Sequence, residues 1–471
     1  MASMQPVLAL SFLCLTSPLA LGLQEWPRFR GPNGAGVSAC AGLPEAFGPE
    51  QNLRWRTPVV PGHSSPVLGA DAIFLTGADE RGLAVLCLAR DSGAVRWERR
   101  LERARTQEVY PANGSATPSP VTDGQTVYAF FPELGLVAFD AQGKERWQLP
   151  LGPFLSFYGM AASPILAGST LVLLCDQQQG SFLLGVDAAT GKQRWRTERK
   201  GLIESWTTPV LYPSAAPESV LVVGTFFVCA YSLDTGAELW RTGRIGYTPV
   251  SSPVLWERPE GALLFASVPF HTEGGPMPTF EALSADTDKD EDGKLTKAEL
   301  AGSGFDDHFG WVDSNRDDHI DAAEWKFIAE GMSSKDYGLV AFQLGAKEAK
   351  ELWRYKRGLP SIATPLLLDG ILYLAKSGGM LTTVDASSGE ELGFQRLEGS
   401  SSEFDASPIA ADGKLFLANQ EGRVMVLEPG PEPKVLSTCD LGEPIHATPA
   451  IGDGALFVRT DAALYCFGAK E

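Results

Sequence analysis

The sequence predicts an all-β fold: an eight-bladed β-propeller of four-stranded antiparallel blades, with a small helical insertion in the fifth blade. Three observations predict it. A Ser/Thr-Pro-apolar tripeptide recurs eight times, its prolines keep nearly one period, and each repeat holds turn signals for about four short strands. The tripeptides begin at Ser65, Ser119, Ser163, Thr208, Ser252, Thr364, Ser407 and Thr448, and their prolines are separated by 54, 44, 45, 44, 112, 43 and 41 residues. The long interval is one period plus roughly 68 residues, so extra chain interrupts the fifth repeat.

Within a repeat, the tripeptide leads through a glycine turn to an alternating strand such as Gln125-Thr126-Val127-Tyr128-Ala129-Phe130. A further strand ends in Asp, turns at Gly and runs on to Trp, as in Val186-Asp187-Ala188-Ala189-Thr190-Gly191-Lys192-Gln193-Arg194-Trp195. Asp-x-x-Thr-Gly offers side-chain capping and the left-handed glycine that a tight hairpin needs. A four-stranded unit of this length is the size of a propeller blade, which buries its faces only against its neighbours. The last-strand tryptophans are Trp97, Trp147, Trp195, Trp240 and Trp353, with Phe394 and Val435 expected at that place in repeats six and seven. Their expected role is packing between blades. Repeat eight lacks a last strand, and Asn52-Leu53-Arg54-Trp55-Arg56 can supply it and close the ring.

These motifs, together with Asp234-Thr235-Gly236 to Trp240 and the leader Trp26-Pro27-Arg28-Phe29-Arg30-Gly31-Pro32, resemble the PQQ-binding-like β-propeller repeat proteins of the secreted bacterial type. The resemblance covers roughly residues 26 to 471 and includes quinoprotein dehydrogenases and outer-membrane assembly factors of the BamB type. It implies the fold, while function has to be argued from sites.

The 471 residues include 58 acidic and 39 basic side chains, a formal net charge of −19. That charge repels phosphate backbones and excludes nucleic acid as a natural partner, pointing instead to cations. Val7 to Gly22 is an apolar run of signal-peptide length, with small residues before a cleavage site after Gly22. The expectation is an exported protein of the periplasm, cell envelope or medium, with no membrane span in the mature chain. Cys87, Cys175, Cys229 and Cys466 lie in apolar runs and read as buried hydrophobes, while a Cys40–Cys439 disulfide stays open.

Chemistry concentrates in the insertion. Asp288 to Glu299 matches a twelve-residue EF-hand loop: Asp288, Asp290 and Asp292 at positions 1, 3 and 5, Gly293 at 6, the Lys294 carbonyl at 7 and Glu299 at 12. Those carboxylates converge on one calcium ion, and the glycine permits the sharp turn. A second loop places Asp313, Asn315, Asp317, the His319 carbonyl, Asp321 and Glu324 at positions 1, 3, 5, 7, 9 and 12. It departs at position 6, where Asp318 must take the left-handed backbone. Leu295 and Ile320 at position 8 pair the loops, and Phe305, Phe309, Trp311, Trp325 and Phe327 form a small core. Residues Glu281 to Asp336 carry sixteen acids and six bases, so much of the global charge is local to this segment.

The expected organisation is a signal at 1–22, a leader at 23–50, blades one to five at 51–269, the EF-hand pair at 270–336 and the remaining propeller at 337–471. The sequence has no HExxH, GxSxG or P-loop pattern, so no hydrolase or nucleotide site is identified. The resemblance makes a PQQ-dependent oxidoreductase the enzyme alternative, but the adjacent cysteine pair common in those enzymes is missing. The other reading is a binding scaffold, with a protein partner in the cell envelope or a polar ligand. The loops before the tripeptides should ring one face and present His63, Asn113, Tyr158, Glu204, Trp206, Tyr247, Glu403, Asp405 and His446.

Overall fold

The computed structural model describes residues 26–106, 113–156, 158–269, 277–313, 317–333, 335–398 and 400–469; the expected signal peptide lies outside them. Their strands form eight four-stranded sheets. In the third blade Ile165–Ala167, Thr170–Cys175, Phe182–Asp187 and Gln193–Glu198 pair antiparallel in that order. The middle strands are buried along nearly their whole length, whereas Gln193–Glu198 fully buries only Trp195. At the hairpin, Thr190 donates its N–H and hydroxyl to Asp187 Oδ1 at 3.0 and 2.8 Å, and Gly191 turns with φ +72°. The Asp-x-x-Thr-Gly signal therefore does the capping expected of it.

The eighth blade joins the chain ends. Ala450–Gly452, Ala455–Arg459 and Ala463–Gly468 are completed by Leu53–Pro58, which pairs antiparallel with Ala463–Gly468. This is the closure expected from residues 52–56.

The recurring Ser/Thr-Pro step has a physical reason. In each blade the N–H of the hydroxyl residue donates to the hydroxyl of the next blade, from Ser65 to Ser119 and onward, until Thr448 N–H donates back to Ser65 Oγ. All eight bonds measure 2.9 to 3.1 Å and all eight residues are buried. The following proline holds each residue in an extended conformation and brings no N–H of its own to satisfy. A closed hydrogen-bonded ring thus ties the inner edges of the blades together.

At the outer edges, Trp97, Trp147 and Trp195 donate Nε1–H to Ala141, Ala188 and Leu233 carbonyls of the next blade at 2.9, 2.8 and 3.0 Å. A Cβ at the turn glycines Gly143, Gly191 or Gly236 would lie 2.5 to 2.7 Å from the preceding indole, so glycine is needed for close approach. Repeats six and seven correct an expectation. Gly393 and Ser437, not Phe394 and Val435, occupy the register of the tryptophans, opposite Thr383 and Val426 beside the same bulge. Gly393 stands four residues after the turn glycine Gly389, the spacing of Gly191 to Trp195, while the turn of repeat seven is one residue longer; without Trp the blades use other contacts, Gly393 admitting the Pro431 carbonyl and Ser437 donating to Glu45 O. No disulfide joins Cys40 and Cys439; the Cys40 sulfur accepts from Gly454 N–H.

Between the fifth-blade strands Leu263–Val268 and Gly338–Leu344, which pair with each other, lie α1 (Phe280–Thr287), α2 (Phe309–Val312) and α3 (Ala322–Ser333). Among the described residues no helix is long and apolar enough to cross a membrane.

Candidate functional site

The inserted segment folds two acidic loops into the same pattern. In the first, Asp288 Oδ2 accepts Gly293 N–H at 3.0 Å and Asp292 Oδ1 accepts Lys294 N–H at 2.8 Å. In the second, Asp313 Oδ2 accepts Asp318 N–H at 3.2 Å and Asp317 Oδ1 accepts His319 N–H at 3.0 Å. Gly293 and Asp318 both have the left-handed backbone, φ +79° and +63°, so Asp318 tolerates the turn that its sequence position demands. Thr296 and Glu299 exchange hydrogen bonds, as do Asp321 and Glu324, giving each loop a capping box at its end. Leu295 and Ile320 exchange N–H···O bonds of 2.9 and 2.8 Å, joining the loops as their sequence positions predict.

Carboxylate oxygens of Asp288, Asp290 and Asp292 lie within 4.8 Å of one another, and Asp288 Oδ1 is buried without a hydrogen-bond partner. Hydrogen bonds from the Thr296 backbone and hydroxyl hold Glu299 down at about 2, which keeps it ionised. Asp313 is buried; Asn315 lies outside the described residues. All-oxygen donors at this spacing suit a hard divalent cation.

The segment packs on its own ring. Trp325 meets Phe305 edge-on at 5.0 Å, and Phe327 meets Phe226 of the fourth blade edge-on at 5.3 Å. Phe309 joins this apolar cluster with Ile203 and Tyr247; the Trp311 side chain lies outside the described residues.

The candidates on the loop face separate into two groups. Asn113 donates to Tyr158 O at 2.6 Å, Tyr158 stands edge-on to Trp206 at 5.4 Å, and Trp206 donates to Gly159 O at 2.7 Å. Burial raises the Tyr247 phenol, with Glu204 and Tyr158 adding to the shift. Glu204 is buried among them. The second group is His63, Asp405 and His446: the imidazoles stack at 4.4 Å and His446 Nδ1 is 2.7 Å from Asp405 Oδ2. Glu403 is solvent-exposed, and its backbone carbonyl accepts Gln420 N–H at 3.1 Å.

The other mouth of the channel is crossed by the leader. Trp26 and Pro27 carbonyls accept from Leu68 and Thr122, Asn33 exchanges bonds with Leu211, and Val37 bridges Ala410, so the segment contacts inner strands on opposite sides of the ring. Arg28 reaches Pro209 O at 2.6 Å and Arg30 reaches Thr364 O at 2.8 Å. Both guanidiniums are buried, and desolvation lowers each to about 9. Nothing in the leader's composition signals that two cations will be buried against backbone carbonyls.

The family model described as outer membrane protein assembly factor BamB matches residues 50–182 and 326–471, more than half of the chain. The chain belongs to this family. Among BamB-like solved structures, BamB from Moraxella catarrhalis superposes with TM-score 0.56 at 14% identity, covering 88% of this chain and 98% of that one. A europium-containing methanol dehydrogenase gives TM-score 0.61 at 11% identity, covering 95% of this chain and 99% of that one. The quinohemoprotein alcohol dehydrogenase from Comamonas testosteroni gives 0.60 at 11% identity, covering 95% and 81%. At these identities the likeness establishes the propeller alone. No curated protein matches the chain in sequence. The BamB-family match is interrupted between residues 182 and 326, the stretch that contains the fourth blade and nearly all of the insertion.

Proposed function

We propose that this protein is an exported propeller scaffold of the cell envelope, with calcium held in two EF-hand loops mainly to stabilise the insertion and with the open loop face binding a protein segment or polar ligand. The observation that carries the calcium reading is the repetition of one hydrogen-bond pattern in both loops, joined at position 8. Asp288, Asp290, Asp292, the Lys294 carbonyl and Glu299 would hold one ion; Asp313, Asn315, Asp317, the His319 carbonyl and Glu324 would hold the other. Each ion offsets repulsion among converging carboxylates. BamB-family membership favours a protein partner over a small substrate.

Native mass spectrometry with millimolar calcium tests this reading. Two ions per chain are expected, falling to one in Glu299→Gln; a chain that retains no calcium overturns it. The quinoprotein alternative finds little support in the donor set, because Cys87, Cys175, Cys229 and Cys466 are buried within separate blades. A retained quinone absorbance with dye-linked alcohol oxidation would reverse this preference.

A further inference from the structure

The acidic loops leave unused the histidine pair on the opposite side of the open face. His63 follows the closing strand Leu53–Pro58, His446 lies in the loop before the eighth tripeptide, and Asp461 sits at the turn between Ala455–Arg459 and Ala463–Gly468. Ligating atoms of these three residues lie within 4.8 Å of one another, with His446 Nε2 4.0 Å from Asp461 Oδ1. The rings of His63 and His446 are 4.4 Å apart between centroids and tilted by 28°.

Asp405 supplies the outer contact. Its Oδ2 receives His446 Nδ1–H at 2.7 Å and Gln420 Nε2–H at 2.7 Å. In the neutral imidazole that bond keeps the proton on Nδ1 and turns the Nε2 lone pair towards Asp461, the carboxylate–histidine arrangement that orients metal-binding imidazoles. His63, His446 and Asp461 are all partly buried.

We propose that His63, His446 and Asp461 form a binding site for a borderline transition-metal ion such as Zn²⁺, with Asp405 as the residue that positions His446. Two imidazoles and one carboxylate suit zinc rather than calcium, which takes six or more oxygens. Zinc–ligand bonds of about 2.0–2.1 Å require ligand atoms about 3.3 Å apart, so binding draws the group together by about 1 Å. Asp461 is 46% exposed, leaving the remaining coordination position open to solvent. The ion would also clip residue 63, at the N-terminal closing strand, to the C-terminal blade.

The test uses untagged full-length protein, stripped with chelator, replenished with calcium and titrated with Zn²⁺ while mass and melting temperature are followed. One zinc beyond the calcium is expected, with a rise in melting temperature. His63→Gln and His446→Gln should each abolish both effects, and Asp405→Asn should weaken zinc affinity about 10–100-fold at unchanged stoichiometry. Wild-type protein that binds no zinc, or a double histidine variant that binds it equally well, overturns the proposal. If the histidine variants fail to fold, Asp461→Asn on the partly exposed turn decides: weakened binding supports the site, and unchanged affinity overturns it.

Discussion

In the propeller ring each hydroxyl–N–H bond has a counterpart in the neighbouring blade, and the series closes from Thr448 back to Ser65. In the inserted segment the pattern occurs only twice, and each loop leans on one partner through Leu295 and Ile320. The ring closes on itself through uncharged hydroxyls and apolar blade interfaces. The insertion brings carboxylates together and opposes their repulsion with a small apolar cluster shared with the fourth blade, loop N–H donors and the exposed Lys294–Asp317 pair at 3.3 Å. The two parts should therefore respond differently to core mutations, to cations and to acid.

The largest effect should come from the ring. Arg199 and Asp176 form a fully buried pair, with Nε–Oδ1 and Nη2–Oδ2 distances of 2.6 and 3.0 Å, and Ser205 and Tyr231 complete the network. Removing one partner leaves an uncompensated buried charge, so Asp176→Ala should cost about 3–5 kcal/mol, equally with and without calcium. Denaturant unfolding in both conditions measures this. Next in size, Ser163→Ala leaves the buried Ser119 N–H without its acceptor and should cost about 1–3 kcal/mol by the same measurement. A cost no larger than that of a surface alanine would mean that the hydroxyl ring is incidental.

Calcium should act on the other part. With extracellular-type affinities of about 10⁻⁴–10⁻³ M, millimolar calcium adds ~0.4–1.4 kcal/mol per site, and Glu299→Gln should remove the first site's share. Thermal melts followed by calorimetry, with calcium and with chelator, give the difference. Calcium dependence that survives in a Glu299→Gln, Glu324→Gln double variant would break the comparison.

The smallest effect concerns acid. Hydrogen bonds from Arg194 and then Thr190 hold the Asp187 carboxyl at about 2, below its ordinary value of 3.8. A depressed folded-state value stabilises above the unfolded-state range, and the benefit disappears as pH falls through about 2. The stability gap between wild type and Asp187→Asn should accordingly narrow on acidification from about pH 5 to about pH 2. Because Asp187 is partly exposed, the gap should be small at any pH and smaller still in high salt.

The blade count, the terminal closure and the pairing of the acidic loops were legible because each is written as a local pattern. Ser/Thr-Pro steps, Asp-x-x-Thr-Gly turns and the Leu295/Ile320 positions all lie within a few residues of the geometry they impose. The outer-strand register in blades six and seven was not legible. In blade six the place four residues after the turn glycine Gly389 is Gly393, with the aromatic Phe394 beside it masking that place; in blade seven a proline-rich turn one residue longer puts Ser437 there rather than Val435. The histidines of the loop face were visible as candidates, yet Asp461 carried no sequence signal connecting it to them.

By itself, then, the sequence determined the repeat, the eight-fold ring, the interruption in the fifth blade and the pairing of the two acidic loops, since periodicity and short-range backbone chemistry govern these. Only the tertiary structure decided that the hydroxyls close into one hydrogen-bonded circle, that Arg28 and Arg30 end buried in the channel, and that His63, His446 and Asp461 share one corner of the open face. Closing a ring brings together groups from opposite ends of the chain, and no local pattern records which of them will meet.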